Sequence, residues 1–460
     1  MTCDELLTRI KRIHFIGIGG ISMSGLAEIL LGKGFRISGS DNNASALTER
    51  LEKAGAVIRI GQSADNISPD TDLVVYTAAI HPDNPEFVAA KKQGIPMLSR
   101  AQLLGQIMQN YDLPINIAGT HGKTTTTSMC THVLMRAGLD PTVTLGGILP
   151  SIGGNIRVGG TKYFVAEACE YTNSFLSFFP KIELILNVDA DHLDFFKDLD
   201  DIASSFHRFA ALLPEDGTLI INRDTAKYDV VTDHLACGII TYSLNGDADY
   251  MAEDIHFDEN GCASFVCLER GKPLGNIRLC IPGMHNVSNS LAVIALSRKL
   301  GLSPEIIAQG IADFHGADRR FERKGTAFGA TIIDDYAHHP TEIRAIITAA
   351  LQTPHKKLWV VFQPHTYTRT KALLPEFADA LSLADHIVLS DIYAAREVNT
   401  VGISSEDLRA EIEKRGTKAD YFSSFEEILE FLKTQLKEGD LLITMGAGNI
   451  VDVGEDLLRL

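Results

Sequence analysis

Short runs of β-branched and aliphatic residues alternate with helix-like segments along the whole chain. Near the start, the strand-like runs are Ile13–Ile18, Arg36–Ser40 and Leu73–Tyr76, and the segments between them, Ser22–Lys33 and Ala44–Ala54, have helical character. Strands that alternate with helices indicate a parallel sheet whose strands are joined by βαβ crossovers. The alternation therefore predicts an α/β fold.

Two further cycles of this pattern follow. One begins at Ile115–Ile117, and another begins after Phe314–Asp318 with strands such as Thr331–Asp334 and Leu358–Phe362. Residues 238–280 are rich in short strand-like runs, and we expect them to add antiparallel strands to the edge of the second unit. At about 150 residues per domain, a chain of 460 residues is predicted to have three domains. Their expected bounds are residues 1–108, 109–316 and 317–460.

The charge of the chain limits the kinds of binding partner to expect, and its cysteine content indicates a cellular compartment. The chain has 42 Lys and Arg residues and 59 Asp and Glu residues, which gives a net charge of −17. Proteins that bind nucleic acids or anionic membranes need a basic surface. We therefore expect no nucleic acid and no membrane among the partners. The first residues have no signal-peptide pattern, and no run of about 18 apolar residues predicts a membrane span. Seven scattered cysteines without CxxC spacing favour reduced thiols and a cytoplasmic location.

A glycine-rich turn, GIGGIS at residues 17–22, joins the first strand to the first helix. Gly17, Gly19 and Gly20 let the backbone approach a diphosphate, and the helix N-terminus supplies N–H donors and a positive dipole. Asp41 closes the second strand, where an acid meets a ribose in dinucleotide-binding folds. Ser22 replaces the last glycine of the GxGxxG pattern. Alone, the turn fits a nicotinamide or flavin site, another nucleotide diphosphate, or a tight turn without a ligand.

A second glycine-rich segment, GTHGKTT at residues 119–125, lies between a strand and a helix. It is shorter than the standard GxxxxGK[ST] phosphate loop, but the same mechanics apply. Backbone N–H groups cradle phosphate oxygens, Lys123 neutralises the β- and γ-phosphate charge, and a threonine hydroxyl can reach magnesium. The alternative is a surface Gly-Lys turn, which the flanking strand and helix disfavour.

Acidic and histidine side chains follow the next two strands of this unit. Glu167 comes at the end of Tyr163–Ala166 with Glu170 just beyond, and His192 follows the strand Leu184–Val188. Ligands gather at the carboxyl ends of parallel strands, so Glu167 and His192 are placed to hold magnesium beside the phosphates. The alternative for each acid is a helix cap or a solvated turn.

Further polar clusters lie nearer the C-terminus. His285, Asn286 and Asn289 open an apolar helix, where they could meet an adenine, although helix capping by asparagine is the simpler interpretation. The third unit contains RRFE at 319–322, DDYAHHP at 334–340 and QPHTYTRT at 363–370. Arginine suits carboxylate or phosphate recognition. The paired histidines lack the spacing of a transition-metal site.

Taken in order, these motifs resemble those of the Mur ligases, the ATP-dependent amide-bond ligases of peptidoglycan precursor synthesis. The resemblance covers essentially the whole chain and rests on HFIGIGGISMSG, GTHGKTTT, EACEYTNSF, NVDADHLD, HNVSN, RRFE, DDYAHHP, FQPHTYTRT and MGAGN. It implies three α/β domains: a Rossmann-like N-terminal domain for a UDP-sugar, a P-loop ATPase-like central domain with added β structure, and a Rossmann-like C-terminal domain for the amino acid.

Within the family, the sequence is most similar to the branch that joins L-alanine to the carboxylate of UDP-N-acetylmuramate. This implies ATP and Mg²⁺ as cofactors and an acyl-phosphate intermediate, and we expect a monomer or weak homodimer. Several sister ligases carry a carbamylated lysine after their DH motif, where this chain has about Phe206, with Lys197 the nearest lysine. The alternatives are a ligase that attaches a murein tripeptide, an NAD-dependent oxidoreductase and a P-loop NTPase that acts on proteins.

The resemblance also implies roles for individual residues. The catalytic set is Lys123, Glu167, His192 and His338, and the metal ligands are Thr124, Glu167 and His192. The ATP-binding set is Gly119, Thr120, His121, Gly122, Lys123, Thr124, Thr125, His285, Asn286, Asn289, Arg320 and Asp334. The UDP-sugar set is Gly17, Gly19, Gly20, Ser22, Met23, Ser24, Asp41, Thr77, Ala78, Ala79 and Ile80. The amino-acid set is Tyr336, His338 and Arg369.

Overall fold

Three β-sheets follow one another along the chain, and helices pack against each of them. The structure is a computed structural model that describes residues 10–77, 79–193, 195–395 and 397–460. This architecture confirms the α/β prediction. None of the helices in these ranges is long and apolar enough to cross a membrane.

The N-terminal sheet has five parallel strands in the order β3-β2-β1-β4-β5. Its strands are β1 (Arg12–Ile16), β2 (Arg36–Asp41), β3 (Val57–Ile60), β4 (Leu73–Tyr76) and β5 (Met97–Ser99). Its helices are α1 (Ile21–Gly32), α2 (Ala46–Lys53), α3 (Pro85–Gln93) and α4 (Arg100–Met108). Ile16 pairs with both Ser40 and Tyr76, so β1, β2 and β4 end at the same edge. The glycine-rich turn lies at that edge.

The middle sheet has ten strands in the order β15-β14-β13-β12-β11-β10-β6-β9-β7-β8. Its strands are β6 (Leu113–Ala118), β7 (Thr142–Leu149), β8 (Gly154–Arg157), β9 (Tyr163–Ala168), β10 (Ile182–Ile185), β11 (Thr218–Asn222), β12 (Gly238–Ser243), β13 (Tyr250–Phe257), β14 (Cys262–Glu269) and β15 (Lys272–Pro282). Its helices are α5 (Lys123–Arg136), α6 (Leu199–Ala210), α7 (Tyr228–Thr232), α8 (Met284–Lys299) and α9 (Pro304–Ala312). The predicted antiparallel edge is confirmed for β13–β15, whereas β12 pairs in parallel with both neighbours.

The C-terminal sheet has six strands in the order β16-β17-β21-β18-β19-β20, all parallel except β16. Its strands are β16 (Glu322–Ala327), β17 (Ala330–Asp335), β18 (Leu358–Phe362), β19 (His386–Leu389), β20 (Lys418–Tyr421) and β21 (Leu441–Met445). Its helices are α10 (Pro340–Leu351), α11 (Tyr367–Ala372), α12 (Leu374–Leu381), α13 (Ser405–Lys414), α14 (Phe425–Gln435) and α15 (Val451–Arg459).

A buried carboxyl group lies inside the middle sheet. Glu183 of β10 pairs in register with Asn116 of β6, and both side chains are fully buried. Among the described residues, neither the Glu183 carboxyl oxygens nor the Asn116 amide has a hydrogen-bond partner. Burial raises the pKa of Glu183 well above its ordinary value of 4.5, so folding favours the protonated form of this group.

Glu183 is expected to make stability fall as pH rises. Above pH 4.5 the unfolded chain loses this proton while the folded chain keeps it, which lowers the unfolding free energy by about 1.4 kcal/mol per pH unit until the folded pKa is reached. Glu183→Gln should therefore raise the Tm, and by more at about pH 8 than at about pH 6. Thermal unfolding with the exposed Glu52→Gln as control measures this. A Tm difference that does not change with pH would contradict it.

Candidate active site

The first glycine-rich turn forms an open cradle at the end of β1. Gly17 takes a φ of +83°, which favours glycine, and its N–H donates to the Ser40 carbonyl oxygen at 2.8 Å. The Gly19 N–H donates to the Asp41 carboxylate at 2.9 Å, so Asp41 holds the turn from within the protein. Helix α1 begins without a side-chain cap, which leaves first-turn N–H groups for an anion.

The other predicted UDP-sugar residues surround this turn. A side chain at Gly17 would lie 3.1 Å from Thr77 Cγ2, so the segment after β4 adjoins the turn. Ser22 lies in the first turn of α1, and the side chains of Met23 and Ser24 are buried. Ala79 and Ile80 follow Thr77 along the chain, while Ala78 lies outside the described residues. The Ser24 N–H donates to the Gly20 carbonyl oxygen and its hydroxyl to the Ile21 carbonyl oxygen, each at 2.9 Å, so both donors of Ser24 are used within the helix start.

The second glycine-rich segment forms a phosphate loop between β6 and α5 that is braced by Asn187. The His121 N–H donates to the Asn187 side-chain oxygen at 2.7 Å, and the Asn187 amide donates to the His121 carbonyl oxygen at 3.0 Å. The Thr120 hydroxyl accepts from the Asp189 N–H at 2.9 Å. Gly119 and Gly122 have positive φ values of +146° and +84°. The brace preorganises the loop before any phosphate binds.

Lys123 is fixed inside this loop by a buried carboxylate. Its Nζ donates to the Thr120 carbonyl oxygen at 3.0 Å and to Gly119, and it pairs with Glu170 at 3.0 Å. Burial lowers the pKa of Lys123, but Glu170 more than offsets that effect and raises it to about 12. The ammonium group is therefore charged at any working pH. Glu170, which is 2 % exposed, is a positioning residue that the predicted site did not include.

The structure brings two of the three predicted metal ligands together. The Thr124 hydroxyl donates to Glu167 Oε2 at 3.2 Å, and the other oxygen of Glu167 accepts from the Gly146 N–H at 2.7 Å. His192 instead lies 3.8 Å from Glu170 and stacks near the Tyr171 ring. Burial raises the pKa of Glu167, because removal from water disfavours the charged carboxylate. A hard cation fits the oxygen pair of Thr124 and Glu167.

Removing the charge of Glu167 should weaken the response to magnesium. Glu167→Gln keeps the shape but loses the carboxylate, so we expect the Mg²⁺ concentration for half-maximal activity to rise by about tenfold or more. A magnesium titration of the steady-state rate measures this, with the exposed Glu215→Gln as the matched control. If the titration is unaltered, Glu167 serves only to hold Gly146 and Thr124.

A cavity of about 340 Å³ opens beside the phosphate loop, between the middle and C-terminal sheets. It is lined by seven of the predicted ATP residues: His121, Gly122, Thr125, His285, Asn286, Asn289 and Arg320. The Asn289 amide donates to Asn286 at 3.1 Å, and the Asn286 amide donates to the Pro282 carbonyl oxygen at 2.7 Å. This chain of amides lies against Gly122, where a side chain would come within 2.9 Å of Asn289.

Neighbouring residues at the C-terminal side of this cavity point in opposite directions. Asp334 is fully buried and accepts from Arg319 at 2.9 Å and from the Thr444 hydroxyl at 2.7 Å. Asp335 lines the cavity instead, since successive side chains of β17 alternate between faces. Arg320 reaches the Thr124 hydroxyl at 3.4 Å. Asp335 therefore lies on the cavity wall, where its carboxylate accepts from the Phe321 and Ala337 N–H groups at 2.7 Å each, and the predicted Asp334 does not line the cavity.

A second cavity of about 390 Å³ contains Arg369. Arg369 Nε donates to Asp191 Oδ1 at 3.0 Å, and Arg369 Nη2 lies 3.0 Å from the same oxygen. Asp191 belongs to the middle unit. Of the other two predicted amino-acid residues, His338 adjoins this cavity through His365, whereas the Tyr336 ring lies over Arg319 and Arg320, with the guanidinium carbons 5.0 and 5.2 Å from the ring centroid. The His338 ring packs edge-on against His365 at 5.9 Å, and its Nδ1–H donates to the Tyr336 carbonyl oxygen at 3.1 Å. Burial lowers the pKa of His338 to about 4, so its imidazole is neutral.

Hydrogen bonds from the start of α10 join the C-terminal unit to the phosphate loop. His121 contacts Glu342 at 3.2 Å and Asp189 at 3.1 Å, and these two carboxylates overcome burial to raise the pKa of His121 to about 9. Thr341 donates to Asp189 at 2.7 Å, and His339 Nε2 donates to the Ala190 carbonyl oxygen at 3.1 Å. These contacts hold the two cavities side by side.

Sequence models of a single protein family match all three units of the chain. Sequence models match residues 12–112 as the catalytic domain of the Mur ligase family, residues 117–297 as the Mur ligase middle domain, and residues 319–448 as the Mur ligase glutamate ligase domain. The chain belongs to the Mur ligase family, whose members are ATP-dependent amide-bond ligases.

Particular relatives are similar over their full length. The UDP-N-acetylmuramate–L-alanine ligase of Agathobacter rectalis is 59% identical over 97% of each chain, and that of Caldanaerobacter subterraneus subsp. tengcongensis is 54% identical over 98% of each. Among solved structures, the UDP-N-acetylmuramate–alanine ligase of Thermotoga maritima has a TM-score of 0.82 and 30% identity over 97% of this chain and 98% of that one. A murein peptide ligase of Psychrobacter arcticus has a TM-score of 0.73 and 26% identity over 98% of each chain.

Proposed function

We propose that this chain joins L-alanine to UDP-N-acetylmuramate at the expense of ATP, in peptidoglycan precursor synthesis. The observation that carries the proposal is the pair of adjoining cavities, with Lys123 and Glu167 beside one and Arg369 in the other. The named relatives at 59% and 54% identity support the same substrates. ATP dependence favours the cytoplasm, and the three units would bind the UDP-sugar, ATP and the amino acid in chain order.

In the first step, the carboxylate of the muramyl group attacks the γ-phosphate of ATP. The carboxylate oxygen forms a bond to phosphorus as the bond to ADP breaks, which gives an acyl phosphate. Because both reactants are anions, the step depends mainly on charge neutralisation and alignment. Lys123 supplies a fixed positive charge at the loop. Magnesium, when held by Thr124 and Glu167, would neutralise phosphate oxygens and polarise the phosphoryl group.

In the second step, the amine of L-alanine attacks the acyl phosphate, and phosphate leaves. Arg369 is suited to hold the alanine carboxylate, since a guanidinium binds a carboxylate through two parallel hydrogen bonds. The Asp191 carboxylate occupies that position in this structure and would be displaced. The neutral His338, whose Nδ1–H is donated to a carbonyl, has an Nε2 lone pair that can accept a hydrogen bond from the amine and so orient its attack.

A coupled phosphate-release assay tests the proposal. The purified chain is given ATP, Mg²⁺, UDP-N-acetylmuramate and, in separate reactions, L-alanine, glycine, L-serine or a murein tripeptide. We expect release to require both the UDP-sugar and an amino acid, with the highest kcat/KM for L-alanine. Release with the tripeptide but not with L-alanine would favour the recycling ligase. Release without any acceptor would favour an NTPase.

A further inference from the structure

An arginine that the motifs did not single out lies at the carboxyl edge of the N-terminal sheet. Arg100 is the first residue of α4 and follows Ser99, which pairs in register with Tyr76. Tyr76 pairs in turn with Ile16, so Arg100 is level with the residues that open the glycine-rich turn. Ligands of parallel sheets bind at this edge.

Among the described residues, the Arg100 guanidinium has no directly bonded carboxylate. It is partly buried, and within the part of the chain that the structure describes, no hydrogen bond or ion pair joins it to a protein acceptor. It lines a small cavity together with Ser22 of α1 and Asn155 of the middle unit. Because burying an unpaired charge is costly, a guanidinium in this setting indicates a site for an anion.

Arg100 also lies within electrostatic range of the phosphate-transfer site. Burial lowers its pKa, and the Cys169 thiol and the Glu167 carboxylate oppose that shift. Glu167 is the residue that contacts Thr124 of the phosphate loop. The guanidinium thus lies between the start of α1 on one side and the phosphate loop on the other.

Contacts of α1 and α4 with the middle unit hold Arg100 in this position. Ser99 and Gln102 cap α4 reciprocally, with N–H to oxygen distances of 2.8 Å and 3.2 Å. One turn further along, a side chain at Gly105 would collide with the Ser177 carbonyl oxygen of the middle unit. The Asn155 amide donates to the Ile21 carbonyl oxygen at 2.9 Å and ties α1 to the same unit. Arg100 therefore projects from a fixed junction between the two sheets.

We propose that Arg100 binds an anionic oxygen of the UDP-sugar substrate, either in the diphosphate or in the carboxylate that becomes phosphorylated. This inference rests on the proposed function. A substrate that spans from the α1 N-terminus to the phosphate loop must pass this junction, and it carries these two anionic groups. Arginine presents two parallel N–H donors to either group, which a lysine at the same position cannot do.

Equilibrium binding to the full chain tests the proposal with two nucleotide sugars. UDP-N-acetylmuramate has both anionic groups, whereas UDP-N-acetylglucosamine has the diphosphate alone. Arg100→Ala should weaken UDP-N-acetylmuramate binding by about 10- to 100-fold, and Arg100→Lys should give a smaller loss. Equal losses for both sugars assign the diphosphate, and a loss confined to UDP-N-acetylmuramate assigns the carboxylate.

Two controls separate the possible failures. Binding of a non-hydrolysable ATP analogue should stay unchanged in both variants, which reports that the fold is intact. Arg36→Ala, at the exposed amino end of β2 in the same sheet, should leave the affinity for both sugars unchanged. If the unchanged chain binds UDP-N-acetylmuramate and Arg100→Ala binds it equally well, this inference is overturned while the proposed function stands. If the unchanged chain binds neither sugar, the proposed function fails, and the inference fails with it.

Discussion

Replacing Lys123 with alanine is expected to lower kcat for phosphate release by at least about 10³-fold. The side chain is the cation of the phosphate loop, it is charged at any working pH, and it is already aimed by Glu170 and two loop carbonyls. Its loss would leave two anions to approach each other without that charge. Steady-state phosphate release measures the effect, with the exposed Lys92→Ala as a control that should keep full activity.

A second variant separates lost chemistry from lost structure. Lys123→Ala alone leaves the carboxylate of Glu170 buried without its cation, which by itself could disturb the loop. The double variant Lys123→Ala, Glu170→Gln removes that unpaired charge. We expect it to stay inactive. Activity that recovers to near normal in the double variant would show that Lys123 acts by balancing Glu170 and not on the phosphoryl group.

Replacing Arg369 with alanine is expected to raise the KM for L-alanine by about 100-fold, because a charged, bidentate contact to the substrate carboxylate is lost. The KM for ATP should change by less than about twofold, since Arg369 lies in the other cavity. Arg369→Lys keeps the positive charge but loses the planar guanidinium, so its KM for L-alanine should lie between those of the unchanged chain and Arg369→Ala. Initial rates at varied L-alanine and varied ATP give both values. An unchanged KM for L-alanine would remove Arg369 from the amino-acid site.

The sequence predicted those parts of the site that lie on one continuous segment. A strand, a glycine-rich turn and a helix determine a phosphate loop locally, so residues 119–125 and the start of α5 could be placed without tertiary information. The same holds for the turn after β1. The antiparallel edge formed by β13–β15 was predicted because its short strand-like runs differ from the alternating pattern around it.

The sequence could not place residues whose position depends on where a strand ends, on which face of a strand their side chain lies, or on contacts with distant residues. The strand β9 runs to Ala168, two residues further than predicted, so Glu167 lies within the strand. Asp334 and Asp335 are adjacent in sequence, and only the register of β17 shows which of them meets the cavity. Glu170 and Asn187 act by bracing other residues, a role without a local sequence signal.

The chain has a net charge of −17, yet positive groups are concentrated at its candidate binding sites. The long-range field of such a chain opposes polyanionic substrates, so binding has to depend on local positive groups. These are the uncapped start of α1, the phosphate loop with Lys123, and the guanidinium groups of Arg100, Arg320 and Arg369. Lys123 and the three guanidinium groups are partly withdrawn from solvent, where charge interactions are stronger than on the surface.

Transfer of an oxygen isotope shows whether the amide forms through an acyl phosphate. UDP-N-acetylmuramate is labelled with heavy oxygen in both carboxylate oxygens and incubated with the chain, ATP, Mg²⁺ and L-alanine, and the products are analysed by mass spectrometry. We expect a product with the mass of labelled UDP-N-acetylmuramate plus L-alanine less one labelled water, and a single labelled oxygen in the released phosphate. Phosphate that carries no label, or ADP formation without the amide product, would contradict it.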